Sequence, residues 1–134
     1  MALYMLDTNI CIYLMKHQPP EVAERFATCN VGDVVISAIT FAELQYGVSA
    51  SANPDAEGAN LALLIDAIPV AAFDVQAARA YGPVRWATRE RKKDHLDKLI
   101  AAHALALDVA LVTNNERDFS AYPKLRVENW LRSH

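Results

Sequence analysis

The chain opens with the apolar run Leu3-Tyr4-Met5-Leu6, which ends at Asp7 and passes directly into Thr8-Asn9. A short apolar segment that stops at an acid and continues as a helix predicts a carboxylate at the C-terminal end of a strand. In open parallel α/β sheets, ligands and metals bind at that edge. A second interpretation stays open, because Asp7 or Thr8 could simply cap the helix that follows.

Apolar periodicity along the chain alternates between strands and helices, without repeats or low-complexity segments. We predict strands at 3–6, 34–37, 70–73, 109–112 and 126–128, and helices at 9–16, 20–29, 39–50, 56–67, 74–90 and 95–107. Gly82-Pro83 is expected to kink or split the fifth helix, because proline lacks a backbone donor and clashes with the preceding turn. Strands that alternate with helices favour a parallel sheet covered on both faces, so the predicted fold class is a single α/β sandwich.

Length and composition restrict the function further. With 134 residues, the chain is expected to form one domain, residues 1–134. It has no apolar run long enough for a membrane span and no secretory signal, so the cytoplasm is the expected location. Cys11 and Cys29 are then expected to stay reduced and packed, and they lack the spacing of a zinc site. A net charge of −3 argues against bulk coating of nucleic acid, but not against local binding of RNA.

Two further acids lie among apolar residues on predicted helices. Glu43 shares a helical face with Ile39 and Tyr46, so its side chain is expected to point toward other parts of the structure. Asp97 begins a stripe of isoleucine and alanine that otherwise faces the core. Each acid also has a structural interpretation. Glu43 could be a partly buried, hydrogen-bonded glutamate, and Asp97 could stabilise a helix N-terminus that Asp94 caps.

A polar block, Thr113-Asn-Asn-Glu-Arg-Asp118, follows the apolar segment Val109-Ala-Leu-Val112 and is expected at the C-terminal edge of a second strand. An Asx turn would give the same pattern. Carboxylates that converge at one edge repel one another unless they are protonated or neutralised by a cation. Oxygen ligands suit Mg²⁺ or Mn²⁺ rather than zinc, and such a site is suited to phosphodiester hydrolysis. Whether the acids converge depends on the fold.

Four segments resemble, in order and spacing, the blocks of PIN-domain ribonucleases, and more narrowly those of VapC toxins of bacterial toxin–antitoxin pairs. They are Met5-Leu-Asp-Thr-Asn-Ile10, Ile39-Thr-Phe-Ala-Glu-Leu-Gln-Tyr-Gly47, Leu96-Asp-Lys-Leu-Ile-Ala-Ala-His-Ala104 and Leu111-Val-Thr-Asn-Asn-Glu-Arg-Asp-Phe119. The resemblance covers essentially the whole chain. It implies a PIN-like three-layer sandwich with about five parallel strands, and a divalent-metal endoribonuclease that leaves 3′-hydroxyl and 5′-phosphate ends.

The resemblance also assigns residues to the site. Asp7, Glu43 and Asp97 match the family's acidic metal site, with Mg²⁺ or Mn²⁺ as the implied ion. Asn115 and Asp118 match positions of further amide or acidic side chains, which would bind at outer positions or orient water. Three polar neighbours would orient the carboxylates through hydrogen bonds: Thr8, Asn9 and Thr113.

One segment departs from the family pattern, because Arg91-Lys-Lys-Asp-His95 stands where many relatives have a loop with Gly and Pro. The loop is more basic than in those relatives and is expected to be more helical. A solvated helix end, with cations near its C-terminal dipole, would account for the charges. The functional hypothesis is that four cations contact RNA phosphates: Arg89, Arg91, Lys92 and Lys93.

The resemblance implies partners as well: a VapB-type antitoxin, a second copy in a homodimer, larger toxin–antitoxin hetero-oligomers, and an RNA substrate. The implied substrate is tRNA, in particular the anticodon loop of initiator tRNA. Two alternatives stay open, an RNA-processing PIN nuclease outside toxin–antitoxin systems and a non-catalytic PIN module that binds RNA or protein. Aspartate-nucleophile phosphatases are disfavoured, because they need a second Asp where this chain has Asn9. Four residues are expected in the core or at antitoxin contacts: Tyr13, Met15, Phe41 and Trp86.

Overall fold

Strands and helices alternate in the computed structural model, which describes residues 1–131. They are β1 (Tyr4–Leu6), α1 (Thr8–Lys16), α2 (Pro20–Ala27), β2 (Val34–Ser37), α3 (Ala38–Ala50), α4 (Pro54–Ala67), β3 (Val70–Ala71), α5 (Val75–Ala87), α6 (His95–Leu107), β4 (Ala110–Val112), α7 (Glu116–Phe119) and β5 (Val127–Glu128). Each predicted strand and helix is present within a few residues of its predicted bounds, and α7 is additional. Residues 132–134 of the predicted domain lie outside the described residues.

The five strands form one parallel sheet in the order β3-β2-β1-β4-β5. The chain moves outward from β1 to β3 on one side, and then returns to place β4 on the other side of β1. Strand order therefore reverses between β1 and β4, which is where a crevice opens beyond the carboxyl ends of parallel strands. The register pairs Leu6 with Val112, so the residues after these two strands lie side by side.

Helices cover both faces of the sheet, as the α/β pattern predicts. Met5 and Leu6 are fully buried on opposite faces, because side chains alternate along a strand. Leu6 belongs to the cluster formed with helices α1 to α4, and Met5 to the cluster formed with α5 and α6. Cys11 and Cys29 are free thiols that pack with the first cluster. No helix within residues 1–131 is long and apolar enough to cross a membrane.

The structure differs from two local expectations. Helix α5 is not split at Gly82-Pro83 but continues through Pro83 to Ala87. The buried residues Ala77 and Val84, on either side of the proline, hold both halves of α5 in the core, which offsets the lost backbone hydrogen bond. The basic segment 88–94 is irregular rather than helical. The backbone carbonyls of Thr88 and Arg91 accept hydrogen bonds from the Lys98 ammonium instead of from helical backbone N–H groups.

Candidate active site

Asp7 follows β1 and is only 5% exposed. Its side chain caps α1 by accepting a hydrogen bond of 2.9 Å from the Ile10 N–H, so the capping interpretation is correct as well. Its own N–H donates to the Val112 carbonyl, which fixes Asp7 at the junction of β1 and β4. Burial raises the pKa of the Asp7 carboxyl and the charge of Glu43 adds to this, while hydrogen bonds from Thr113 and the backbone oppose it.

Glu43 comes to the same place from the second turn of α3. The helix begins after β2 with Ser37 as its N-cap, so its start lies at the carboxyl edge of the sheet. The Thr8 hydroxyl donates to Glu43 Oε1 at 2.8 Å, across 35 residues of chain. Thr8 therefore sets the position of the Glu43 carboxylate beside Asp7, as an orienting neighbour is expected to do.

Asp97 lies in the first turn of α6 and is half-buried. The pKa of its carboxyl is raised from 3.8 to about 6, first by burial and then by the negative charges of Glu43 and Asp7. The charges of Asp94 and Asp118 add smaller effects. These interactions show that the three predicted acids, distant in sequence, lie close together in the fold.

The segment after β4 completes the rim of the site. Thr113 is fully buried, and its hydroxyl oxygen accepts a hydrogen bond of 2.9 Å from the Asn115 N–H. The Asn115 amide in turn donates to Asp118 Oδ2 at 2.9 Å. Asn115 lines the site directly, whereas Asp118 is exposed and reaches it through Asn115. The turn is therefore formed by the Thr113 hydroxyl rather than by an Asn side chain, unlike the Asx-turn alternative, and a short helix, α7, begins after Asn115.

A cleft of about 140 Å³ joins these side chains. Its lining consists of Asp7, Thr8, Asn9, Glu43, Asp97, Ile100, Asn115 and Phe119. Ile100 and Phe119 are buried and form an apolar floor beneath the oxygen-bearing side chains.

The chemistry of this cleft fits a divalent cation. Its polar lining offers carboxylate, hydroxyl and amide oxygens, and the repulsion that raises the pKa of Asp97 is relieved when a cation binds. Within residues 1–131, no three His, Cys, Asp or Glu side chains already form a closed ion-binding group. Mg²⁺ is usually held by one or two carboxylates with water completing its shell, so the open arrangement suits that ion.

The family model of the PIN domain matches residues 4–125, which include every residue of this cleft. The chain belongs to the PIN-domain family. This confirms the resemblance and the fold class predicted from the four sequence blocks.

Relatives of this PIN domain are VapC ribonucleases. It is 39% identical over 132 residues to the tRNA(fMet)-specific endonuclease VapC of Shigella flexneri, an alignment that covers 97% of this chain and 99% of the relative. It is 36% identical over 133 residues to ribonuclease VapC2 of Rickettsia felis, with 96% and 98% covered. Among solved structures, DNA-bound VapBC from Salmonella typhimurium matches with a TM-score of 0.89 and 37% identity, covering 97% of this chain and 99% of that one.

The four cations of the PIN domain that the sequence predicts to contact RNA divide into two groups. Lys92, Lys93 and Arg89 are exposed. Arg91 is held by the protein itself, because its guanidinium pairs with Asp94 at 3.2 Å and donates to the Asp118 carbonyl. Lys92 and Lys93 are therefore free to contact a ligand and Arg89 is exposed while bonded to the Trp86 carbonyl, whereas Arg91 ties the segment to α7.

A buried charge network behind Asp97 was not predicted. Lys98 is 1% exposed, and its ammonium lies 3.1 Å from Asp94 Oδ1 while donating to the carbonyls of Thr88 and Arg91. Asp94 also accepts a 2.6 Å hydrogen bond from the Tyr122 hydroxyl. Asp94 occupies the N-cap position of α6, but its side chain makes no capping hydrogen bond, because it bonds to Lys98 and Tyr122 instead. The sequence feature that could have indicated this network is Lys98 itself, a charged residue within the apolar stripe of α6.

A second unpredicted contact joins α6 to α3. His103 is buried, and its Nδ1 lies 2.7 Å from Ser37 Oγ, which also accepts the Ile39 N–H. Burial lowers the pKa of His103, opposed by the charge of Asp74. The pair therefore joins the helices that carry Asp97 and Glu43.

Proposed function

We propose that this PIN domain is the toxin of a type II toxin–antitoxin pair, an endoribonuclease that inhibits translation by hydrolysing a phosphodiester bond of tRNA. The convergence of Asp7, Glu43 and Asp97 in one polar cleft carries the proposal. Initiator tRNA is the proposed target, because the aligned relative from Shigella flexneri is a tRNA(fMet)-specific endonuclease. The proposed action is cytoplasmic, by a single domain that forms a homodimer and larger complexes with its antitoxin.

The mechanism proposed for this cleft assigns each residue a task. Asp7 and Asp97 would hold Mg²⁺ or Mn²⁺, and Glu43 would contact the ion directly or through water. The chemistry supplied there would be activation of a water and neutralisation of charge on the phosphoryl oxygens, with a 5′-phosphate product. Thr8 and Thr113 keep the carboxylates in place.

The remaining polar residues of the cleft are assigned to positioning the RNA substrate. Asn9 and Asn115 present amide groups to the cleft, and Asp118 orients Asn115 through their 2.9 Å hydrogen bond. The floor formed by Ile100 and Phe119 excludes water from beneath the reacting groups.

Cleavage of total bacterial RNA by the antitoxin-free protein tests this function. With Mg²⁺ or Mn²⁺ we expect a cut at one tRNA site, with 5′-phosphate ends, that is lost with EDTA and in Asp7→Asn. Sequencing of the fragment ends identifies the target. Cleavage that survives Asp7→Asn would contradict the assigned site, and a cut in another tRNA would contradict the initiator tRNA assignment alone.

The exposed lysines beside the cleft are expected to contribute RNA affinity through phosphate contacts. In Lys92→Gln/Lys93→Gln, we expect weaker RNA binding and a log–log salt dependence reduced by about 1.4 in slope, since each contact to single-stranded RNA contributes about 0.7. Fluorescence anisotropy with a labelled tRNA fragment from 50 to 300 mM salt measures the slope. Lys124→Gln, an exposed position between α7 and β5, should leave it unchanged. An unchanged slope in the double variant would refute these contacts.

An apolar groove between α1, α2 and α4 is the proposed binding site of the antitoxin. It has a volume of about 270 Å³, and Leu14, Phe26 and Leu63 are among its lining residues. Met15 and Asn60 also line the adjoining cleft, which extends to Glu43. A peptide seated in the groove therefore has a continuous path to the catalytic cleft. Solved complexes of relatives support such a partner, among them VapBC2 of Rickettsia felis bound to promoter DNA.

Leu63 tests the antitoxin groove, because it is 69% exposed and its replacement should not disturb the core. We expect Leu63→Asp to weaken antitoxin binding by about tenfold or more, since a charge replaces an apolar contact in a groove. RNA cleavage without antitoxin should be unchanged. Titrating the cognate antitoxin into the cleavage reaction measures both effects, with Val75→Asp on α5 as the matched exposed control. Equal inhibition of wild type and Leu63→Asp would place the antitoxin elsewhere.

A further inference from the structure

Trp86 is unusual because it is 68% exposed at the C-terminal end of α5. The sequence predicts it in the core or at an antitoxin contact, and it lies in neither the core nor the groove described above. The guanidinium of Arg89 stacks on its ring at 4.1 Å from the centroid. Arg89 also donates to the Trp86 carbonyl at 2.8 Å, which holds the guanidinium in that position.

One face of the indole is thus covered while the other remains accessible. Arg89 covers one face, so an exposure of 68% requires that much of the opposite face is in solvent. Gly82, one turn earlier on the same side of α5, adds no side chain, and a Cβ placed there would meet nothing within 4 Å. Trp86 and Arg89 therefore form a flat surface, which we call the indole platform, with room for a second planar group.

The charge around the indole platform is positive. Arg85, Lys92 and Lys93 are exposed beside Arg89, with Glu90 as the exposed acid of the same segment. The whole chain has a net charge of −3, so this positive region contrasts with the rest of the protein. A planar group that binds here should therefore belong to a polyanion.

The indole platform is anchored to the helix that carries Asp97. Lys98, the next residue in α6, donates to the carbonyls of Thr88 and Arg91 on either side of Arg89. Because Lys98 is buried, this connection fixes the end of α5 relative to the first turn of α6. A ligand on the platform is thus held at a fixed position relative to the first turn of α6, which carries Asp97.

We propose that the indole platform binds an unpaired base of the RNA substrate by stacking, while the surrounding cations contact its phosphates. This rests on the proposed function, in which the substrate is RNA. Indole rings stack on any base, but a base within a duplex is already stacked and cannot reach the ring. The site therefore selects RNA with a single-stranded segment.

A second copy of the chain fits this surface less well than RNA does. An interface with twofold symmetry places the same patch on both sides, so the exposed arginines and lysines of one copy would face those of the other. RNA supplies both the planar bases and the negative charges that this surface lacks.

Intrinsic fluorescence offers a direct test, because the chain has two tryptophans and Trp130 is 2% exposed. Trp130 should be insensitive to a ligand, whereas a base stacked on Trp86 should quench its emission. We expect quenching when a 12-nucleotide oligoadenylate binds the Asp97→Asn protein, which is used to prevent cleavage. An abasic ribose-phosphate strand of equal length and a blunt RNA duplex should cause little quenching.

Two substitutions separate stacking from apolar contact. Trp86→Phe keeps an aromatic face and should bind oligoadenylate within about threefold of the parent, whereas Trp86→Leu should bind about tenfold or more weakly. Unchanged affinity in Trp86→Leu, or equal quenching by the abasic strand, would overturn the proposal. Altered sedimentation of Trp86→Leu with unchanged RNA affinity would also overturn it, and would assign Trp86 to an interface between copies.

The same variants distinguish this inference from the proposed nuclease function. If the wild-type protein cleaves RNA and Trp86→Leu shows unchanged KM and kcat, the indole platform is refuted and the nuclease stands. If oligoadenylate quenches Trp86 but the wild-type protein cleaves no RNA, the platform stands and the nuclease is refuted. We expect a raised KM in Trp86→Leu with kcat nearly unchanged, because the platform does not touch the reacting atoms.

Discussion

Replacing Asp97 with Asn should reduce RNA cleavage by about 10³-fold and, in the metal-free protein, increase stability. The loss follows from the proposed role of Asp97 as a ligand of a divalent ion, which would supply several kcal/mol to the transition state. The gain follows because the pKa of Asp97 is raised to about 6 by burial and by the charges of Glu43 and Asp7, so its ionised form destabilises the fold at neutral pH. We expect about 1 kcal/mol, a reduced value because the carboxylate is only half-buried.

Urea unfolding in EDTA at pH 7.5 measures the gain, and initial cleavage rates with Mg²⁺ measure the loss. Asp66→Asn removes an exposed carboxylate outside the cleft and should change neither. Adding Mg²⁺ should stabilise the wild type more than Asp97→Asn, because ion binding to the native state adds to its stability. A less stable metal-free Asp97→Asn protein would contradict the repulsion inferred for this cleft.

Replacing Asp94 with Ala should cost about 3–5 kcal/mol of unfolding free energy, because it leaves the buried ammonium of Lys98 without a counter-charge. Asp94 is the ion-pair partner that the structure gives Lys98 within residues 1–131. Arg91 loses its ion pair in the same variant. Thermal and urea unfolding measure the cost.

Lys98→Met is the matched variant for this network. It keeps most of the side-chain volume, and Asp94 retains Arg91 and the Tyr122 hydroxyl, so we expect a loss of only about 1–2 kcal/mol. Equal losses of unfolding free energy in Lys98→Met and Asp94→Ala would contradict the inference that Lys98 depends on Asp94 more than Asp94 depends on Lys98.

The same carboxylate should contribute to acid unfolding. Burial alone would raise the pKa of Asp94, but hydrogen bonds from Tyr122 and Lys98 and the charge of Arg91 outweigh it and lower the pKa below 3.8. The stabilisation is therefore complete above about pH 5 and is lost as the pH falls through the lowered pKa. An acid titration followed by circular dichroism should show a shallower transition in Asp94→Asn.

Sequence patterns predicted the sheet because each strand is a short apolar run that ends in turn or capping residues. They also singled out Asp7, Glu43 and Asp97 as acids in apolar contexts, each with a structural alternative, and the resemblance to PIN-domain ribonucleases assigned the three to one site. That these acids meet follows from the strand order, which brings Asp7 next to Thr113 and is not encoded in any single segment.

Contacts between segments account for what the sequence could not predict. Pro83 predicts a break in α5, but Ala77 and Val84, buried on either side of it, hold the helix in the core. Lys92 and Arg91 are equivalent in the sequence of the basic segment. In the fold, however, Arg91 pairs with Asp94 and donates to the Asp118 carbonyl, whereas Lys92 is exposed. Trp86 is exposed because the buried positions of its helix fall on Ala77 and Val84.

The pairing of β1 with β4 has a consequence for the timing of synthesis. Asp7 is made at the start of the chain, but its N–H bonds to Val112 and its carboxyl to Thr113, more than a hundred residues later. At about 5–20 residues per second, a ribosome needs roughly 5–20 s to add those residues. A nascent chain therefore carries an unfinished cleft during most of its own translation. The enzyme becomes able to act on RNA only when the ribosome producing it has nearly completed the chain.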